Sequence, residues 1–239
     1  MNSKTDPHIK SSKNTLPFAF LLAATAIILA CEAIGGIVLN NILSSMQTIF
    51  ILRTLELTFM LILLKYMDNG FEHLGISYRK SGKKTLYKGI KAGIVWSMIF
   101  GVAAFITGVL IFCKNSKLPF DFIASKLPEN SYDLALFMFT GCIISPFAEE
   151  FFFRGFLYSC LRRYGVLISM VISTLLFALC HMPDSRTITD IGNIPPIPLT
   201  GGIVFGLSYE YSKSLAAPVI IHVLGNIAIF AISFIAINI

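Results

Sequence analysis

The chain has 239 residues, 55% of them hydrophobic and only 13% charged, about half the charged fraction of a soluble domain. That composition excludes a water-soluble enzyme. The formal charge of +6 does not indicate a nucleic-acid binder, because the basic residues sort by loop and form no patch interleaved with aromatics on a soluble face.

Residues 1–16 form a polar tail carrying Lys4, Lys10 and Lys13. The apolar run that follows is too long for a signal-peptide core, and no small-residue cleavage site closes it. From 17 to 239 no linker or composition break appears, so this part is expected to be a single membrane-embedded domain. Its apolar runs predict helices at about 17–40, 47–67, 86–113, 132–161, 165–182, 198–212 and 215–237, most of them long enough for a hydrocarbon core about 30 Å thick. The fourth is too long for one simple crossing. Pro146 sits in its middle and is expected to kink or split it. The expected fold is an all-α, polytopic membrane bundle of seven to eight transmembrane helices. Cys31, Cys113, Cys142, Cys160 and Cys180 lie in or beside apolar runs without metal-like spacing and read as small buried hydrophobes.

The loop charges give an orientation. Lys65, Arg79, Lys80, Lys83, Lys84, Lys88 and Lys91 lie between spans two and three, against Asp68 and Glu72. Arg162 and Arg163 follow the fourth span, and Lys213 lies between the last two. Loop 114–133 balances its charges, and loop 183–197 carries Asp184, Arg186 and Asp190. Alternation puts the basic loops on one side, which the positive-inside rule assigns to the cytoplasm together with the N-terminus. The 79–91 stretch reads as a juxtamembrane segment drawn to anionic lipid.

Ionisable groups at membrane depth are costly and face the bundle interior or a water-filled cavity. Glu32, Arg53, Glu56, Glu149, Glu150, Arg154, His181, Glu210 and His222 qualify by position. Arg53 and Glu56 are three apart and can pair. Glu210 reads as an interfacial partner of Lys213, and Glu32 has no local partner. The stretch PFAEEFFFRG, residues 146–155, is different. Glu150 and Arg154 are four apart and share a helix face, whereas Glu149 points about 140° away from Arg154. One carboxylate is neutralised and the other is left free in an apolar setting, which suits a general base; the plainer alternative is that both carboxylates share Arg154. His181 ends the next span, and His222 and Asn226 project together from the last one. Helix rise leaves these groups at somewhat different depths, which kinking at Pro146 and helix tilt can level.

Three motifs, in this order, resemble those of the CAAX-protease and bacteriocin-processing (CPBP or Abi) intramembrane proteases, which include the type II prenyl endopeptidases. Glu149-Glu150-Phe-Phe-Phe-Arg154 matches Glu-Glu-x-x-x-Arg. Phe177 to His181 matches Phe-x-x-x-His, and His222 to Asn226 matches His-x-x-x-Asn. The resemblance covers a catalytic half at about 140–230 and implies peptide hydrolysis within the membrane. Glu149 and His181 would activate a water, and His222 and Asn226 would stabilise the oxyanion. Glu150 and Arg154 would support them. The implied substrate is a membrane-associated protein or peptide, lipidated or not; the residues themselves lead to the expectation of a mechanism without a cofactor.

Other readings stand beside this one. A zinc enzyme would use His181, His222 and one glutamate, Glu150, as ligands. Against it, no His-Glu-x-x-His occurs, and Arg154 opposes a cation beside Glu150. Buried carboxylates and histidines also build ion-coupled transporters, and the resemblance also admits a non-enzymatic bacteriocin-immunity protein.

Overall fold

The computed structural model describes residues 16–80, 82–115, 127–128, 130–182 and 196–237. The charges read in the N-terminal tail, and Asp184, Arg186 and Asp190, lie outside the described residues. What is described is helical, with no strand: α1 (Phe18–Ile37), α2 (Ser45–Tyr66), α3 (Lys83–Asn115), α4 (Ser131–Tyr164), α5 (Val166–Leu179), α6 (Pro196–Ser212) and α7 (Ala216–Ile237). Among these, α1, α2, α3, α4 and α7 are long and apolar enough to cross a membrane. The chain is a multi-pass membrane protein. Hydrocarbon leaves no solvent for backbone polar groups, so helices that satisfy their own N–H and C=O are the available element. The outer faces carry exposed Leu, Ile, Val and Phe throughout.

Helix ends follow local chemistry. Ser44 caps α2 in a reciprocal capping box with Gln47, which satisfies two otherwise orphaned donors. The Asn130 side chain accepts from the N–H of Tyr132 at 2.8 Å and of Asp133 at 3.3 Å, starting α4. Gly165, at φ 111°, supplies a turn that a side chain would strain, and α5 begins at the next residue.

Two expectations change. Pro146 does not split the fourth span: helix continues from Ser131 to Tyr164. The proline ring removes a donor and crowds the preceding turn, and the chain answers by widening. Thr140–Ile144 is π-helical, with the Ser145 N–H donating to the Thr140 carbonyl five residues back. A second π segment runs over Phe151–Tyr158. The other change concerns the spans at 165–182 and 198–212. α5 has 14 residues and α6 has 17, giving lengths of about 21 and 26 Å at 1.5 Å per residue. α5 falls short of the usual length of a spanning helix, whereas α6 reaches its lower limit. α5 stops where His181 turns back on the helix and donates to the Phe177 carbonyl.

α1 packs along α2, α3 along α7, and α5 and α7 each against α6. α4 threads the centre, and its Phe153, Phe156, Leu157 and Tyr158 join Phe177, Phe205 and Ile221 in the core. Polar ties lock the end of the bundle near residue 213. Glu210 accepts from both Arg162 nitrogens (3.1 and 2.8 Å), from Tyr158 Oη (2.8 Å) and from Lys213. Lys213 was the expected partner; the link to α4 was not. In the same region, Leu215 N–H donates to the Leu74 carbonyl and Ser214 Oγ to that of Gly75. A Cβ on Gly75 would collide with the Lys213 carbonyl. Lys88 donates to the Tyr211 carbonyl and lies over its ring. The cysteines divide: Cys31, Cys142 and Cys160 are buried as expected, whereas Cys113 and Cys180 are exposed.

Candidate active site

The two carboxylates of PFAEEFFFRG separate as helical phase requires. Glu150 and Arg154 are both fully buried, and Arg154 Nη1 donates to Glu150 Oε1 at 3.0 Å. The guanidinium extends further. Its Nη2 donates to the Gly202 carbonyl at 3.0 Å, and its plane lies over Phe177 (4.6 Å) and Phe205 (5.1 Å). This aromatic cradle stabilises a cation in a dry core. Gly202 fits closely beside it: a Cβ there would stand 3.4 Å from Arg154 Nη2 and 3.0 Å from Thr174 Cγ2.

Glu149 faces the other way, toward two imidazoles. Its Oε2 lies 3.6 Å from His181 Nε2 and 3.8 Å from His222 Nε2. That atom is buried and has no hydrogen-bond partner. The separations exceed direct hydrogen bonds. Glu149 and His181 are partly open, with side chains 18% and 34% exposed, while His222 is nearly enclosed at 7%.

The second nitrogen of each ring fixes its orientation. His181 Nδ1 sits 2.8 Å from the Phe177 carbonyl, which can only accept, so Nδ1 carries the proton and Nε2 is left as an acceptor. His222 Nδ1 sits 2.9 Å from Glu150 Oε1 and donates to it. Phe205 stacks on the His222 ring at 4.6 Å and 20°, and Phe177 lies 4.5 Å from the ring of His181. Phe177 thus touches both histidines and the arginine. Its own mark in the sequence is its place four residues before His181; Phe205 and Gly202 carry no such mark.

Asn226 lies one turn beyond His222 on α7. Its Nδ2 donates to the Gly141 carbonyl on α4 at 2.7 Å. The remaining intramembrane charges form a second group. Arg53 binds Glu56 at 2.6 Å, as its spacing predicts, and reaches across to Glu32 at 3.3 Å, which supplies the partner Glu32 lacked locally.

Of the two glutamates, it is Glu149 that faces both histidines. Glu150 stands on the Nδ1 edge of His222, whereas the Nε2 of both histidines faces Glu149. His181, His222 and Glu150 therefore do not converge. Among the described residues no group of three His, Cys, Asp or Glu side chains is placed to hold a metal ion.

Comparison with known proteins points to the same segment. A family model described as type II CAAX prenyl endopeptidase, Rce1-like, matches residues 131–228, which contain all three motifs. A curated relative, the membrane-embedded CAAX protease MroQ of Staphylococcus aureus (strain USA300), is 35% identical over 111 residues. That match covers 44% of this chain and 39% of the relative's length. No solved structure matches. The resemblance drawn from the motifs holds: over this segment the chain is similar to the CPBP/CAAX intramembrane proteases.

Proposed function

We propose, from the family of residues 131–228 and the geometry around Glu149, that this chain is an intramembrane endopeptidase of CAAX type that uses a glutamate-activated water. One observation carries the reading: a buried, unpartnered carboxylate oxygen faces two imidazole nitrogens at 3.6 and 3.8 Å. A water between them has an acceptor for each proton, Glu149 Oε2 and His181 Nε2, which leaves its lone pairs for a carbonyl carbon. Glu149 takes one proton as the C–O bond forms, and later passes it to the leaving amine as the peptide C–N bond breaks. His222, held by Glu150 on Nδ1, presents Nε2 to the oxyanion and donates when that nitrogen carries a proton. Asn226 is the other donor the resemblance implies; it gives one of its two N–H groups to the Gly141 carbonyl. Arg154 holds Glu150 in place through its 3.0 Å contact.

The catalytic domain is residues 17–239 in this reading, with the N-terminus on the cytoplasmic side as the loop charges indicate. The substrate is a membrane-associated protein or peptide. Mass spectrometry of cells carrying Glu149→Gln is expected to show an uncleaved precursor that wild-type cells lack. Identical peptide profiles would sink the proposal. Either His181→Ala or His222→Ala should abolish cleavage while the protein stays in the membrane. Wild-type activity in both would point to a non-enzymatic immunity protein, and a requirement for an ion gradient in vesicles to a transporter. A metal-free, glutamate-activated water predicts cleavage that persists after exhaustive chelation. Loss on chelation with recovery on added zinc would overturn the metal-free mechanism.

A further inference from the structure

We infer that Asn226 is a positioning residue: it replaces the hydrogen bond that Pro146 removes from α4, and thereby fixes where α7 delivers His222. The inference starts from backbone accounting. Ser145 N–H, which an α-helix would give to the Gly141 carbonyl, donates instead to Thr140. In the i→i+5 register so begun, the next donor would be the N–H of residue 146, and proline has none. The Gly141 carbonyl is therefore left without a backbone partner in the interior of a membrane protein, where an unsatisfied acceptor is costly.

The replacement comes from 85 residues away. Asn226 Nδ2 meets the Gly141 oxygen at 2.7 Å. Only the NH₂ end of the amide can face a carbonyl, so the orientation of the side chain follows from its partner. Phe230, one further turn along α7, presses on the same glycine: a Cβ at Gly141 would stand 2.8 Å from its ring. Glycine at 141 thus lets α7 approach closely enough for the amide to reach.

The consequence for the site is geometric. Asn226 and His222 are four apart and share a face of α7. Gly141 and Glu149–Glu150 lie on α4, on either side of Pro146. Two links therefore span α4 and α7: Asn226 to Gly141 on one side of the proline, and His222 to Glu150 (2.9 Å) on the other. Together they fix both the separation and the rotation of α7. His222 Nε2 is thereby set against Glu149, as a reaction that tolerates little misplacement requires. A buried proline, an exceptional element in a helix interior, and a distant asparagine become one device.

The inference rests on the protease reading for its link to cleavage, but the hydrogen bond can be tested without it. Pro146→Ala restores an N–H at residue 146 and makes the Asn226 amide redundant for Gly141. The experiment is a four-protein cycle, namely wild type, Asn226→Ala, Pro146→Ala and the double variant. The readouts are the thermal unfolding midpoint in bicelles and kcat and KM for peptide cleavage. In the native background Asn226→Ala should lower the midpoint and reduce kcat by roughly tenfold or more, as an orphaned buried acceptor implies. In the Pro146→Ala background both losses should shrink to less than about threefold in kcat, with little change in midpoint. Equal loss of kcat in both backgrounds would overturn the inference and return Asn226 to a direct oxyanion donor. If Pro146→Ala does not fold, the single comparison still decides: a lowered midpoint for Asn226→Ala supports the link, and an unchanged one refutes it. Absence of cleavage by wild-type protein would sink the protease reading, and the thermal cycle would then decide this inference alone.

Discussion

Glu149→Gln is expected to reduce cleavage by about a thousandfold or more while leaving the fold intact. General-base catalysis contributes about 10²–10⁴ in rate, and Gln keeps the shape of Glu but cannot take a proton from water. The stability half of the prediction is as informative as the kinetic half. Glu149 Oε2 has no hydrogen-bond partner, so removing its charge breaks no bond. The midpoint of thermal unfolding should match or exceed that of wild type. A variant that is inactive because it is unfolded would contradict this reading, as would one that retains full activity. Quantitative cleavage of the accumulated precursor, alongside thermal unfolding of the purified protein, checks both halves.

Arg154 should behave in the opposite way, with stability failing first. Arg154→Met is expected to destabilise by about 3–5 kcal/mol, the usual result of breaking a buried pair and leaving one charge uncompensated. Glu150 is fully buried, and Arg154 is its cationic partner there. Arg154→Lys should rescue little. A lysine is a compact point charge and cannot make both the 3.0 Å contact to Glu150 and the 3.0 Å contact to the Gly202 carbonyl. The double variant Glu150→Gln/Arg154→Met removes both charges and should recover much of the stability, because apolar or neutral replacements of a buried pair are often tolerated. Activity should not return with it, since His222 Nδ1 then lacks its carboxylate. Recovery of cleavage in the double variant would show that Glu150 does not serve His222. Expression level and unfolding midpoint measure the first effect, and kcat the second.

These two predictions divide a motif that reads as one unit. Glu149 and Glu150 are adjacent, yet one faces two imidazoles and the other is locked to an arginine. That division was legible in the sequence, since the four-residue spacing of Glu150 and Arg154 is a property of a single helix. The local reading survives even where α4 becomes π-helical between them.

The sequence by itself determined the membrane class, the approximate limits of the helices, the three motifs and the pairings within single helices, including Arg53 with Glu56. All of these depend on composition or on spacing along one helix. The tertiary structure alone decided which faces meet. Glu150 with His222, Asn226 with Gly141, Glu210 with Arg162 and Arg53 with Glu32 join different helices, and helical period says nothing about a partner on another element. It also decided that α5 stops short at His181 and that Pro146 widens α4 rather than dividing it. Both outcomes turn on where displaced backbone groups find partners: the Phe177 carbonyl finds the ring of His181, and the Gly141 carbonyl finds an amide 85 residues away. Inside a membrane protein each such group must be satisfied, and only the packed bundle shows by what.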